Sequence, residues 1–253
     1  MSNQADKARA FAALHVKGDP LVLHNVWDAG SAKAVTEAGA KALATGSWSV
    51  AAAYGYADGE KIPLDLALEN FKRIVAATSL PVSMDIESGY GKTPAEVART
   101  VARTIEAGAI GCNLEDSYPE TGKLRPVAEQ VERIRAARKA ADAAGIPYFI
   151  NARTDVFFQG KAAEHDGAMV EEALTRAKAY AAAGASGVFT PGLADIGLIG
   201  RMVEGVSIPL NIMAFTGTPA LAALKEVGVA RVSHGPGPYR SAMAALTSLA
   251  RGQ

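Results

Sequence analysis

Glu106-Ala107-Gly108-Ala109 closes a helix-like segment, and a short apolar run over residues 111–116 follows it almost at once. Glycine just after a helix is typical of a left-handed helix stop. The same arrangement recurs at Glu37-Ala38-Gly39-Ala40, Ala182-Ala183-Gly184-Ala185 and Glu226-Val227-Gly228-Val229. We therefore interpret the chain as a repeat of helix and strand units.

A second signal, proline, alternates with these glycine stops. Four prolines stand immediately before other apolar runs, at Pro20, Pro81, Pro147 and Pro209. Proline suits the first residue of a strand, because that residue need not donate to the ladder. Together the two signals predict eight strands, at 21–28, 42–46, 82–88, 111–116, 148–154, 187–191, 210–214 and 230–234.

Strict alternation of helices with near-continuous apolar strands predicts a parallel sheet covered by helices. Eight units favour an α/β fold of the (β/α)8 TIM-barrel type, which needs roughly 250 residues. The segment before Pro20 predicts one extra N-terminal helix, and we expect residues 1–253 to form a single barrel domain. A doubly wound open sheet is the alternative, although its G-x-G-x-x-G signature is absent.

Composition excludes several classes of protein. Of the 253 residues 49% are apolar, and 26 basic and 26 acidic residues give a formal net charge of zero. No overall field would attract nucleic acid or an anionic membrane surface, and no apolar run is long enough to span a bilayer. Cys112 is the single cysteine, and the first residues lack a signal-peptide pattern. We expect a soluble, cytoplasmic protein.

Acidic residues cluster at the ends of the predicted third and fourth strands. Asp85 and Glu87 share one parity, and Glu115 takes the matching place on the next strand. Active sites of such barrels lie at the C-terminal strand ends. Three converging carboxylates would repel one another without a cation, and oxygen ligands suit Mg²⁺ or Mn²⁺ better than zinc. Alternatively these acids cap helices or pair with lysines such as Lys92.

The predicted fifth strand adds a positively charged side chain to this mouth. Asn151, Arg153 and Asp155 share a face at its end. An arginine near acids is either their structural partner or a fork for a substrate carboxylate, and we favour substrate contact because the metal already satisfies the acids. The second strand ends in Thr45-Gly46-Ser47, a small polar turn suited to a carboxylate or phosphate.

Six short motifs follow one another in a specific order and spacing. They are Asn25-Val26-Trp27-Asp28-Ala29, Thr45-Gly46-Ser47, Asp58-Gly59-Glu60, Asp85-x-Glu87-x-Gly89-Tyr90-Gly91, Glu115-Asp116 and Ala152-Arg153-Thr154-Asp155. This set resembles the isocitrate lyase/phosphoenolpyruvate mutase superfamily, from about residue 20 to the C-terminus. Its members are (β/α)8 barrels that use Mg²⁺ to hold a 2-oxo acid and stabilise an enolate while a C–C or P–C bond breaks.

The resemblance implies a metal site. It implies direct metal contact by Asp85, with metal-bound waters held by Asp58, Glu87 and Glu115. One departure is Glu87, where members commonly have aspartate. Its longer side chain still reaches a water.

The resemblance also implies a substrate site. The substrate carboxylate is expected at Thr45, Gly46 and Ser47, and Arg153 is expected to contact the 2-oxo acid and the developing oxyanion. A metal and a guanidinium aimed at that oxygen would supply charge where it accumulates. Asn211 has the parity to line the pocket, or it ties neighbouring strands together.

The loop after the predicted fourth strand, residues 117–126, departs from the superfamily. Isocitrate and 2-methylisocitrate lyases carry there a Lys-Lys-Cys-Gly-His motif whose cysteine delivers a proton, and the mutases carry an asparagine-bearing motif. Neither is present, which argues against the isocitrate and methylisocitrate reactions. We expect this loop to close as a lid. Cys112, of opposite parity to Glu115, is expected to be ordinary core.

Proton transfer then needs another group. The candidates are Tyr54, Tyr56, Tyr118 and His234. His234 ends the predicted eighth strand at the correct mouth for a general acid, so we place it with Arg153 and Glu115 in the catalytic set. A histidine bonded to a neighbouring loop fits the sequence at least as well.

The resulting hypothesis is a Mg²⁺- or Mn²⁺-dependent lyase. It would cleave a C–C bond of a small 2-oxo or 2-hydroxy di- or tricarboxylic acid through a metal-stabilised pyruvate enolate, with oxaloacetate decarboxylation as an example. Alternatives are P–C or P–O chemistry on phosphonopyruvate or phosphoenolpyruvate, a phosphate-binding barrel, and a ligand-binding barrel that has lost catalysis. A lysine-dependent aldolase is disfavoured because no lysine lies in the predicted strands.

Besides a small 2-oxo acid, the expected partner is a second copy of the chain. The resemblance implies a homodimer or homotetramer, often with the last helix exchanged between barrels. Residues 239–251 form the predicted last helix, which either closes its own barrel or swaps. No nucleic-acid or membrane partner is expected.

Overall fold

The computed structural model describes residues 3–252, which form a nearly closed barrel of parallel strands surrounded by helices. The strands are β1 (Leu21–Leu23), β2 (Asn25–Val26), β3 (Leu43–Thr45), β4 (Val82–Asp85), β5 (Gly111–Glu115), β6 (Phe149–Arg153), β7 (Gly187–Phe189), β8 (Leu210–Met213) and β9 (Arg231–Ser233). Each strand from β3 to β8 pairs in parallel with the next in sequence. The predicted TIM-type α/β fold is confirmed.

The barrel closes through the first predicted strand. β1 pairs with β9, whereas β2 pairs with β3. Only His24 separates β1 from β2, so the two short strands occupy one of eight strand positions. The prediction of one continuous strand over 21–28 is wrong, because its two parts follow different neighbours.

Several other predicted strands extend too far towards the mouth. β4 ends at Asp85 rather than at residue 88, since Glu87 adopts a left-handed φ of 51° that an extended ladder does not accept. β5 and β6 each end one residue earlier than predicted, at Glu115 and Arg153. The site residues therefore lie at the last ladder positions and in the loops directly after them.

The helices are α1 (Gln4–Ala13), α2 (Ala29–Glu37), α3 (Ser47–Ala53), α4 (Leu64–Ala76), α5 (Pro94–Glu106), α6 (Val127–Ala143), α7 (Gly167–Ala182), α8 (Ile196–Gly205), α9 (Leu221–Glu226) and α10 (Gly237–Ala250). In α5, Thr93 and Glu96 form a capping box, and Val97, Val101 and Ile105 bury one face. Across residues 3–252, we find no helix with the length and apolar character that crossing a bilayer requires.

The extra N-terminal helix is present and covers one end of the barrel. Phe11 of α1 is fully buried and packs edge-on against Phe149 at 5.4 Å between ring centroids. His15, just after α1, stacks on the same ring at 4.1 Å. Cys112 is buried in the larger apolar core, as predicted.

α10 contrasts with α1. None of its residues is buried, and Leu246 and Leu249 are 59% and 73% exposed. Only its start is fixed by aromatic contacts, where Tyr239 meets Trp27 and Trp48 edge-on. The predicted last helix therefore exists, but it leaves an apolar side uncovered.

Candidate active site

Four neighbouring strands each end in a residue that the sequence assigned to the site. β3 ends at Thr45, β4 at Asp85, β5 at Glu115 and β6 at Arg153. These strands are consecutive in the sheet, so the four residues meet at the C-terminal mouth of the barrel. The structure thus brings together the predicted substrate turn, two of the acids and the arginine.

Asp85 is braced by neighbouring backbone. Its Oδ2 accepts the Ser47 N–H at 3.2 Å, and its Oδ1 accepts the Glu87 N–H at 3.1 Å. The Thr45 hydroxyl oxygen accepts the Asp85 N–H at 2.9 Å. Thr45 and Ser47, which Gly46 joins, therefore orient Asp85. Their contact with a substrate carboxylate stays a prediction.

Glu87 and Asp58 lie beside Asp85. Glu87 is buried, and its Oε2 accepts the N–H groups of Gly59 at 2.8 Å and Glu60 at 2.6 Å. Burial raises the pKa of Glu87 to about 8, and the charges of Asp58 and Asp85 act in the same direction. Asp58 stands at the rim, where loss of solvent around its carboxylate and the Asp85 charge raise its pKa. These acids therefore repel one another.

Arg153 is held by acids on two sides. Its terminal nitrogen Nη1 lies 2.7 Å from Glu115 Oε2, and its Nε and Nη2 donate to the two oxygens of Asp155 at 2.6 and 3.1 Å. Although burial opposes its charge, Asp155 and Glu115 raise the pKa of Arg153. Two of its five N–H donors are thus hydrogen-bonded to Asp155, Nη1 forms an ion pair with Glu115, and the other N–H groups stay available to a ligand.

Glu115 completes the acid cluster. Burial raises its pKa well above the usual value, and Arg153 opposes that shift while Asp155, Asp85 and Glu87 add to it. The structure thus shows Arg153 as partner of the acids, the reading that the sequence analysis had placed second. Its contact with substrate stays a prediction that uses the N–H groups not bonded to Asp155.

The donor set fits a hard divalent cation. All candidate ligands are carboxylate oxygens, and burial together with the neighbouring negative charges raises the pKa of Asp58, Glu87 and Glu115. Within residues 3–252 no three His, Cys, Asp or Glu side chains are arranged to hold one ion directly. An ion here would therefore contact few carboxylates and keep several waters, as Mg²⁺ usually does.

The family model described as phosphoenolpyruvate phosphomutase matches residues 11–252. The chain belongs to this family. The resemblance to the isocitrate lyase/phosphoenolpyruvate mutase superfamily is thereby confirmed.

Relatives of this phosphoenolpyruvate phosphomutase family member have different activities. The 2-methylisocitrate lyase of Escherichia coli (strain K12) is 33% identical over 83% of this chain and 71% of its own length. The oxaloacetate decarboxylase of Pseudomonas savastanoi pv. phaseolicola (strain 1448A / Race 6) is 29% identical over 100% of this chain and 86% of its own length. A solved structure from Burkholderia cenocepacia J2315, provisionally described as a phosphonomutase, is 55% identical to this chain. It covers 99% of both chains with a TM-score of 0.97. The predicted class, an enzyme of the lyase and mutase superfamily, is confirmed.

The loop over residues 117–126, whose sequence departs from the superfamily motifs, folds as a hairpin. Ser117 and Leu124 form an antiparallel bridge, and the Tyr118 N–H donates to the Lys123 carbonyl at 2.9 Å. The Tyr118 hydroxyl donates to Glu129 of α6 at 2.7 Å. Closure of this loop as a lid stays a prediction.

Two other predicted site residues, His234 and Asn211, have hydrogen-bond partners outside the acid cluster. His234 stacks on His24 at 4.3 Å between ring centroids, and its Nδ1 lies 3.1 Å from the Leu23 carbonyl. The buried Asn211 accepts the Ser233 hydroxyl at 3.2 Å, and its Nδ2 has no partner within residues 3–252. His234 thus contacts the end of β1, and both site roles stay predictions.

Three charged residues acquire structural roles that the sequence analysis did not assign. Asp155 anchors Arg153, Glu60 binds the loop after β4, and Arg231 is fully buried inside the barrel. Its guanidinium nitrogens find no hydrogen-bond partner among residues 3–252. A lone arginine within an apolar strand was the available signal for Arg231.

Proposed function

We propose that this protein is a Mg²⁺-dependent lyase that breaks a C–C bond of a small 2-oxo or 2-hydroxy di- or tricarboxylic acid, with oxaloacetate decarboxylation as the concrete case. The observation that supports this most is the set of consecutive strand ends at Thr45, Asp85, Glu115 and Arg153. Such a set offers oxygen ligands and a guanidinium to one small anionic substrate.

The acids would hold the ion. Following the family resemblance, Asp85 would contact it directly, and Asp58, Glu87 and Glu115 would hold its waters. When bound, Mg²⁺ would supply positive charge to the 2-oxo oxygen and the adjoining carboxylate of the substrate. The backbone donors to Asp85 keep its carboxylate oriented before substrate arrives.

Arg153 would provide the second positive charge. Its guanidinium is fixed by hydrogen bonds to Asp155 and by the ion pair with Glu115, which holds its other N–H groups in place. They would orient the 2-oxo acid and stabilise the negative charge that develops on its oxygen as the distal bond breaks. Thr45, Gly46 and Ser47 would receive the substrate carboxylate.

Release of pyruvate from a panel of 2-oxo and 2-hydroxy acids tests this function. We expect turnover that EDTA abolishes and Mg²⁺ restores, and we expect Asp85→Asn to remove it. Asp142→Asn, an exposed acid on α6, is the matched control and should keep wild-type turnover. Turnover that EDTA does not change, or no turnover of any member of the panel, would contradict the proposal.

P–C or P–O chemistry on phosphonopyruvate or phosphoenolpyruvate is the second candidate. It is favoured by the family match, whereas residues 117–126 carry neither the cysteine and histidine motif of the lyases nor the asparagine-bearing motif of the mutases. Phosphorus NMR of either compound incubated with the protein separates it from the lyase. Oxalate binding that needs no metal, without any turnover, would instead indicate a ligand-binding barrel.

The protein would act as a homodimer or homotetramer that exchanges α10. A groove of about 710 Å³ beside β1 is lined mostly by apolar residues, including Leu14, Val35 and Leu221, and also by Asp19, Lys41 and Lys225. Exposed Leu246 and Leu249 give α10 an apolar side that its own barrel does not cover. The family resemblance implies that α10 of a second copy fills such a groove.

A further inference from the structure

The two loops that carry Asp58 and Glu87 bind each other reciprocally. Glu87 accepts the backbone N–H groups of Gly59 and Glu60. In return, Glu60 Oε1 accepts the Ser88 hydroxyl at 2.7 Å and the Tyr90 N–H at 2.8 Å. Each loop therefore uses one glutamate to satisfy polar groups of the other.

The contact between the two loops stabilises a backbone conformation that non-glycine residues rarely adopt. Glu60, Glu87 and Tyr90 have positive φ values of 60°, 51° and 49°. Each such non-glycine residue costs about 1 kcal/mol or more and persists where its surroundings fix it. The Glu60 carboxylate binds the Tyr90 N–H directly, so it acts on one of the three strained positions.

A buried arginine binds the backbone of the loop after β4. Arg133 of α6 is fully buried and donates to the backbone carbonyls of Ser88, of Gly91 at 2.9 Å and of Lys92 at 3.3 Å. Ser88 is thus fixed twice, its hydroxyl by Glu60 and its carbonyl by Arg133. The segment between Glu87 and Lys92 has little freedom while both contacts persist.

We propose that Glu60 and Arg133 are positioning residues for the ion site. Neither would touch the ion; together they would fix the loops so that Glu87 and Asp58 face the ion held by Asp85. This inference rests on the proposed function for the identity of the ion. It adds two residues, outside the acid cluster, that set the affinity for Mg²⁺.

Calorimetric titration of Mg²⁺ distinguishes the positioning role of Glu60 from the effect of its negative charge. Glu60→Ala removes both the hydrogen bonds and the charge, whereas Glu60→Gln removes the charge but keeps an oxygen that can accept both bonds. We expect Glu60→Ala to weaken the Mg²⁺ Kd by about 10- to 100-fold, as loss of an outer partner typically does. Glu60→Gln should stay within about threefold of wild type. Glu69→Ala, an exposed acid on α4, is the control.

Arg133→Lys extends the test. Lysine cannot reach three carbonyls with one fixed fork, so we expect about a tenfold weaker Kd, and less than a multiplicative loss when it is combined with Glu60→Ala. Because Arg133 variants can misfold, hydrogen exchange of the metal-free Glu60→Ala protein is the second measurement. Residues 87–92 should lose protection while α5 and α6 keep theirs.

The outcomes distinguish the two proposals. A Glu60→Ala protein that binds Mg²⁺ like wild type, or a Glu60→Gln protein as weak as Glu60→Ala, would overturn the positioning role alone. A wild-type protein without measurable Mg²⁺ binding would overturn the proposed function and this inference with it.

Discussion

Arg153 and Glu115 end adjacent strands, are paired in register, and face each other with a nitrogen–oxygen distance of 2.7 Å. This pair joins the cationic side of the mouth to its acidic side. The negative charges of Asp85 and Glu87 also act on Glu115. A change at Arg153 therefore alters the electrostatic balance of the whole acid cluster.

Arg153→Lys should therefore lower activity strongly. Lysine keeps one charge but loses the planar fork that spans Asp155 and Glu115 while leaving donors for substrate. We expect kcat/KM for pyruvate release to fall by about 10²- to 10³-fold, the usual loss when one donor to a developing oxyanion is removed. Arg135→Lys, on the exposed side of α6, serves as the control. A value within about threefold of wild type would contradict a substrate role for Arg153.

The pH dependence of stability should contain a contribution from His15. Burial, and then the charge of Arg231, lower its pKa from 6.5 to about 3. The unfolded chain therefore binds a proton that the folded protein excludes, and stability falls as the pH drops below about 6.5. From about pH 7 to about pH 5.5 this residue should cost about 1 kcal/mol in the free energy of unfolding.

Urea denaturation of wild type and His15→Gln at these two pH values measures that contribution. Glutamine does not titrate, so the variant should lose about 1 kcal/mol less than wild type between them. His165→Gln provides a second comparison, outside the barrel. Equal losses in wild type and His15→Gln would show that His15 is not buried in its neutral form.

The exposed leucines of α10 should determine the oligomeric state. We expect Leu246→Glu combined with Leu249→Glu to convert a dimer or tetramer into a monomer, because the variant loses two apolar contacts and two carboxylates would lose hydration against the mostly apolar lining of the groove beside β1. Light scattering coupled to size exclusion reports the mass. Ala244→Glu, on another side of the helix, should leave the assembly intact. A monomeric wild-type protein would refute the exchange.

Much of the barrel could be predicted because its signals are local. Glycine stops and strand prolines mark boundaries directly, and strand parity brought Asp85, Glu115 and Arg153 to one mouth. The prediction of one strand over 21–28 failed at His24, where pairing changes from β9 to β3, since closure of the barrel is not encoded within one strand.

Contacts between loops could not be predicted in the same way. Glu60 and Glu87 meet through left-handed backbone on two loops distant in sequence, and no spacing rule reports such a contact. Position at a strand end also does not give the direction of a side chain in the loop that follows. Once β9 stops at Ser233, the direction of His234 is set by its stacking on His24 and by the Leu23 carbonyl.

A crystal grown with Mn²⁺ in place of Mg²⁺, together with oxalate, tests the central claim most directly. The account predicts one anomalous peak beside the Asp85 carboxylate, waters on it shared with Glu87 and Glu115, and oxalate facing Arg153. Acids turned away from the mouth, or oxalate bound with no anomalous peak near Asp85, would contradict it.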